Sequence, residues 1–150
     1  MRIRGVQEYQ APVEYGRSEI IRKEKKYAVL GVGSMIPSCM EICKGLKDDG
    51  YDPTFVNARF VKPLDVDLLD ELAKDHSLFV TVEENVKSGG YGEHVSAYME
   101  ACHPEIRVLS AAVWDRFVPQ GNVESLRSRI GLGVEDIRQA IEDSEELREQ

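Results

Sequence analysis

Three stretches of this chain bring polar side chains to places where a backbone changes direction. Val56-Asn57-Ala58-Arg59-Phe60-Val61-Lys62-Pro63-Leu64-Asp65 begins as a short apolar run and opens into a loop carrying Arg59 and Lys62. Pro63 punctuates that loop, and Asp65 stands where it can cap a following helix. Val80-Thr81-Val82-Glu83-Glu84-Asn85 ends a second apolar run in two carboxylates and an amide, and Gly89-Gly90-Tyr91-Gly92 follows. Adjacent carboxylates can act as acid and base when each pushes the other's pKa apart. Neighbours on a strand point to opposite faces, however, so Glu83 and Glu84 serve one site only if the strand has already ended. A structural or interface role for this acidic end is the competing expectation. The third stretch, Gly31-Val32-Gly33-Ser34, lies where anions bind in folds that feed strands into helices. It lacks the third glycine of a dinucleotide fingerprint, since Ile36 stands there, and the next strand ends in Asn57 and Ala58 without a ribose-binding carboxylate. The simpler expectation is that the glycines allow a tight turn and that Ser34 caps the helix.

The other reactive residue types carry less information. His76, His94 and His103 have no Ser, Cys or Asp at a spacing that by itself makes a triad. His76 is expected just past a helix end, where a positive charge is favoured by the dipole. Cys39 and Cys43 are four residues apart, one helical face, and are expected to be small apolar fillers. Cys102 stands apart from both. The sparse Cys and His pattern argues against a zinc site and for free thiols in a reducing compartment.

The elements that must position these residues alternate regularly. Strands are expected at 18–22, 27–32, 54–57, 78–82 and 106–109. Helices are expected from Ser34 to about Asp49, from Asp65 to Asp75, from about Gly90 to Cys102, and near 123–129 and 134–143. Tyr27-Ala28-Val29-Leu30-Gly31-Val32 is apolar throughout, the pattern of a strand covered on both faces. Gly50 stops the first helix. Strand–helix alternation predicts an α/β domain: a three-layer α/β/α sandwich on a mostly parallel, twisted sheet of about five strands. Residues 1–17, with Pro12 and Gly16, read as an N-terminal arm or linker, and 18–150 as the domain.

Composition narrows the function classes. The chain has 150 residues, 42% hydrophobic and 31% charged, which suits one folded domain. Its net charge of −8 disfavours nucleic acid, whose phosphates require clustered Lys and Arg. No apolar run approaches the length of a membrane span and no secretory h-region follows Met1, so no membrane partner and a cytoplasmic location are expected. The acidic run from Glu142 to Glu146 reads as a solvated helix end.

"NARFVKPLD" and "VTVEEN" with its following glycines resemble the C-terminal domain of transketolase-like thiamine-diphosphate enzymes. Within that group they look most like the 1-deoxy-D-xylulose-5-phosphate synthases, and the likeness extends over roughly residues 2 to 143. It implies that the whole enzyme decarboxylates pyruvate on thiamine diphosphate with Mg2+ and condenses the two-carbon unit with D-glyceraldehyde 3-phosphate. The product feeds isoprenoid, thiamine and pyridoxal synthesis. It implies a homodimer in which Glu83, Glu84, Gly89, Gly90, Gly92 and Asp115 are structural or interface residues, Asp115 lying in an Asp-Arg-Phe segment similar to the family's. Arg4-Gly5 resembles the pair whose arginine holds the aldehyde's phosphate, with Ile3 where the family has proline. A guanidinium suits phosphate, and glycine lets the backbone approach.

The cofactor-binding Gly-Asp-Gly segment has no counterpart here; Asp48-Asp49-Gly50 reads as a helix end. The chain is therefore expected to bind no thiamine diphosphate or metal, to hold no catalytic residue and to be inactive alone, with the other domains of the full-length enzyme as its partners. Two alternatives stand beside this reading: a stand-alone binding or interaction module on the same fold, and the C-terminal domain of another transketolase-like enzyme.

Overall fold

A computed structural model describes residues 13–84, 90–112 and 133–149. Five strands form one sheet in the order β1-β3-β2-β4-β5: β1 Glu19–Arg22, β2 Lys26–Gly31, β3 Thr54–Asn57, β4 His76–Glu83 and β5 Arg107–Ala112. β3, β2, β4 and β5 run parallel, and β1 closes one edge antiparallel to β3. Four helices are described: α1 Ile36–Asp48, α2 Val66–Ala73, α3 Tyr91–Cys102 and α4 Val134–Glu149.

The period-two alternation of the strands sorts the core into two halves. Tyr27, Val29, Phe55, Leu78, Val80 and Val82 face Ile36, Cys39, Ile42 and Leu46 of α1 and Ile137 and Ile141 of α4. Ala28, Leu30, Val56 and Phe79 face Leu69 and Leu72 of α2 and Tyr91, Val95 and Met99 of α3. This is the expected three-layer sandwich with a mostly parallel sheet. β2 carries an unbroken apolar run because it sits mid-sheet, with a helix layer on each side.

Local chemistry sets the helix boundaries. Asp65 caps α2, its Oδ1 accepting the backbone N–H of Leu68 at 3.2 Å. Gly50, at φ +94°, follows the last turn of α1, where a residue with a Cβ would be strained. Ser34 departs from expectation. A 3-10 turn, Gly33–Met35, precedes α1, and no side chain caps either element; the Ser34 hydroxyl is engaged elsewhere. β4 begins two residues earlier than its apolar run, because His76 pairs with Lys26 across an irregularity at Ser77, and β5 extends to Ala112. The helix expected near 123–129 lies outside the described residues.

Candidate functional site

The chain leaves β2 through α1 towards β3 on one side, and leaves β4 through α3 towards β5 on the other. The carboxyl ends of the adjacent strands β2 and β4 therefore flank the point where strand order reverses, the usual crevice for ligands in open α/β sheets. Gly31, Val32, Gly33, Ser34, Glu83 and Glu84 stand at that point. The backbone N–H of Val32 donates to the Val82 carbonyl at 3.0 Å and that of Ala58 to the Gly31 carbonyl at 2.9 Å, so three strand ends are tied together. The Ser34 hydroxyl donates across the reversal to the Glu84 carboxylate.

Glu83 and Glu84 separate as strand geometry requires. Glu84 is exposed, whereas Glu83 is 2% exposed. The Glu83 carboxylate accepts the backbone N–H of Tyr91 at 2.8 Å and that of Gly92, filling the N-terminus of α3 with a fixed negative charge. Gly92 makes this approach possible. A Cβ there would lie 2.6 Å from Thr81 Oγ1, 2.8 Å from Ser110 Oγ and 3.1 Å from Glu83 Oε2. Gly90, buried with an extended backbone, is the residue that enters the helix. The sheet and α3 are joined here by a buried carboxylate.

The rim continues to β3. Arg59 adopts a left-handed backbone, φ +61°, uncommon for a residue with a long side chain. Its N–H donates to Asn57 Oδ1 at 3.1 Å, and its guanidinium meets Glu19 of β1 at 2.5 Å with both side chains largely buried. Asp65, besides capping α2, accepts the backbone N–H of Ser18 at 2.8 Å and pairs with Arg17 at 3.3 Å. Ser18 Oγ donates to the Ala58 carbonyl at 3.0 Å, and Tyr15 packs edge-on against Phe60 at 5.7 Å. Residues 15–19 are thus bound to the 57–65 loop. Sequence reading noted Arg59 but missed Glu19. Its one signal was a carboxylate inside an otherwise apolar strand start, Glu19-Ile20-Ile21.

The histidines are dispersed. His76 Nδ1 lies 2.8 Å from the Leu72 carbonyl and 2.7 Å from Asp75 Oδ1, and its Nε2 lies 2.7 Å from Thr54 Oγ1. The ring is a satisfied core group. His103 Nε2 shares Asp70 Oδ1 with the Tyr98 hydroxyl, at 2.8 and 2.7 Å, joining the end of α3 to α2. Those contacts hold the Asp70 carboxyl below its ordinary value and push the Tyr98 hydroxyl up. His94 Nε2, on the first turn of α3, is shielded from solvent with no hydrogen-bond partner among the described residues. Cys39 is fully buried, and Cys43 packs against the same cluster. Burial pushes both thiols up, that of Cys43 to about 12. Cys102 is exposed, and all three are free.

Among the described residues no three His, Cys, Asp or Glu side chains are grouped to hold a metal ion, and Glu83 occupies the α3 N-terminus. These residues do not fit a magnesium–diphosphate group. No described helix is long and apolar enough to cross a membrane. Of the residues singled out from sequence, Arg4, Gly89 and Asp115 lie outside the described residues.

The family described as "Transketolase, C-terminal domain" matches residues 16–137. The chain belongs to it. Among its relatives, the 1-deoxy-D-xylulose-5-phosphate synthase of Lachnoclostridium phytofermentans is 38% identical over 134 residues, 89% of this chain and 21% of that protein. The synthase of Dictyoglomus thermophilum is 38% identical over 137 residues, 91% of this chain and 22% of that protein. This transketolase C-terminal domain therefore spans about one fifth of the length of these relatives. Among solved structures, a split-gene transketolase, described as an inactive beta4 tetramer, has a TM-score of 0.80 and 28% identity over 89% of this chain and 43% of its own. Transketolase from Campylobacter jejuni shares the fold, with a TM-score of 0.62 at 17% identity, covering 85% of this chain and 18% of its own.

Proposed function

We propose that this chain is the C-terminal domain of a 1-deoxy-D-xylulose-5-phosphate synthase. The observation that carries the reading is the 38% identity to enzymes of that name across nine tenths of the chain. The full-length enzyme is a transferase. It condenses pyruvate with D-glyceraldehyde 3-phosphate, with loss of CO2, on thiamine diphosphate and Mg2+ held by its other domains, and it works as a cytoplasmic homodimer in isoprenoid and thiamine biosynthesis. Alone, the chain is inactive. Its share of the work is Arg4, which grips the acceptor's phosphate, together with domain or subunit contacts around Glu83, Glu84, Gly89, Gly90, Gly92 and Asp115. The buried Glu83–α3 junction supports the structural half of this assignment, because it makes the glycine segment part of a rigid strand–helix connection.

The test uses the full-length enzyme that carries this domain. Arg4→Ala should lower kcat/KM for glyceraldehyde 3-phosphate on the order of tenfold to a hundredfold, the worth of one charged hydrogen bond, and leave pyruvate handling nearly unchanged. Arg4→Lys should recover part of the loss, since an ammonium lacks the two-pronged geometry. Acceptor kinetics unaltered in the Ala variant would leave the domain with an architectural role only. The 28% identity to a split-gene transketolase favours, as a second reading, the same domain of another transketolase-like enzyme. Turnover of a ketose donor in place of pyruvate would select it.

A further inference from the structure

We propose that a cleft at the amino ends of the strands, at the opposite end of the sheet from the carboxyl-end crevice, binds a small phosphate-bearing anion through Lys25 and Lys26. The cleft holds about 750 Å3 and is lined by Lys23, Lys25, Lys26, Tyr27, Gly50 and Tyr51, with Glu24, Asp52 and Asp75. Tyr27 and Tyr51 meet edge-to-face at 6.0 Å in its wall. In a chain of net charge −8, four of the five residues from Arg22 to Lys26 are basic.

Three lysines and three carboxylates line the cleft, so its pull on an anion rests on which of them already have partners. Arg22 reaches Glu24 at 3.2 Å and Asp52 at 3.1 Å, and Asp75 faces His76 Nδ1 at 2.7 Å. Lys23 lies 3.8 Å from Glu71. Among the described residues the ammonium groups of Lys25 and Lys26 have neither an ion pair nor a hydrogen bond. Both residues line the cleft, and an unpaired ammonium is a compact point charge suited to phosphate.

The backbone supplies an independent argument. Lys26 stands at φ +75°, and the pairing of β2 with β4 shifts register between Lys26 and Tyr27. The extra residue of that bulge is Ser77 on β4, so the left-handed backbone at Lys26 is what sets the direction of the lysine side chain. Glycine adopts this backbone freely and lysine only at a cost, so the turn by itself would be better served by glycine. Across the cleft Gly50 has open space where its Cβ would be, which leaves the mouth clear.

Titration calorimetry of the chain with inorganic pyrophosphate at fixed ionic strength tests this, and neither result depends on the synthase reading. Saturable binding is expected, weakened tenfold or more in Lys25→Ala and in Lys26→Gly but no more than about threefold in Lys23→Ala, whose ammonium already has a partner. Lys26→Gly should hold or raise the melting temperature while losing the ligand, a combination that a merely structural lysine cannot give. The proposal is overturned by absence of saturable binding up to about 10 mM, or by wild-type affinity in both variants. Equal affinity for citrate, the mark of an unselective cation cluster, would overturn it as well, and so would a lowered melting temperature in Lys26→Gly, which would make the lysine part of the fold.

Discussion

The carboxylate of Glu83, at the end of β4, closes on the backbone N–H of Gly92 in the first turn of α3, so a strand end and a helix start share one buried anion. Glu83 also accepts from Tyr91 at 2.8 Å, and it therefore satisfies two of the donors that every helix N-terminus leaves open. The geometry is closed on all sides by Thr81, Ser110 and Glu83 itself.

Gly92→Ala should therefore destabilise the domain by about 1–3 kcal/mol, as overpacking of a filled core does. The atoms it would strike are the hydroxyl oxygens of Thr81 and Ser110 and the Glu83 carboxylate that holds the helix start. Glu83→Ala should cost a similar amount by orphaning buried N–H groups. Urea denaturation checks both, and a Gly92→Ala variant as stable as the parent would show that the junction has slack.

Arg59 and Glu19 form the other buried junction, with side chains 12% and 8% exposed. Arg59→Ala should cost about 3–5 kcal/mol, because the buried Glu19 carboxylate loses its guanidinium partner. Adding Glu19→Gln should restore part of that loss. A double-mutant cycle gives the coupling directly, and strictly additive losses would count against a pair interaction.

Asp70 gives the pH dependence a definite sign. Its carboxyl is held below the ordinary value by the hydrogen bond from His103 and then by that from Tyr98. A carboxyl depressed in the fold contributes stability that is present above its unfolded value, near 3.8, and is lost as pH falls through the lower folded one. Asp70→Asn should flatten the acid limb of the stability profile below about pH 4. An acid limb that overlays the parent's would assign that limb to other carboxylates.

Much of the fold was legible in the chain because it rests on short-range pattern. The apolar run 27–32 reads as a strand covered on both faces, and Asp65 before Val66 reads as a cap. Gly50 reads as a stop, and strand–helix alternation dictates a mostly parallel sheet. The motif residues Glu83, Gly90 and Gly92 were likewise visible as types at turning points.

What they touch was not. Ser34 precedes a helix and looks like its cap, yet its hydroxyl crosses to Glu84, fifty residues away, because strand order reverses between β2 and β4. Glu19 finds Arg59 only because β1 folds back antiparallel along β3. Glu83 became a helix cap because Gly92 has no side chain to keep it out. The unpaired Lys25 and Lys26 acquired a cleft from Gly50 and Tyr51, which the sequence places a whole helix later. Local propensity sets each element from within a few residues. Pairings across the sheet depend on strand order and register, which the summed packing of both helix layers decides.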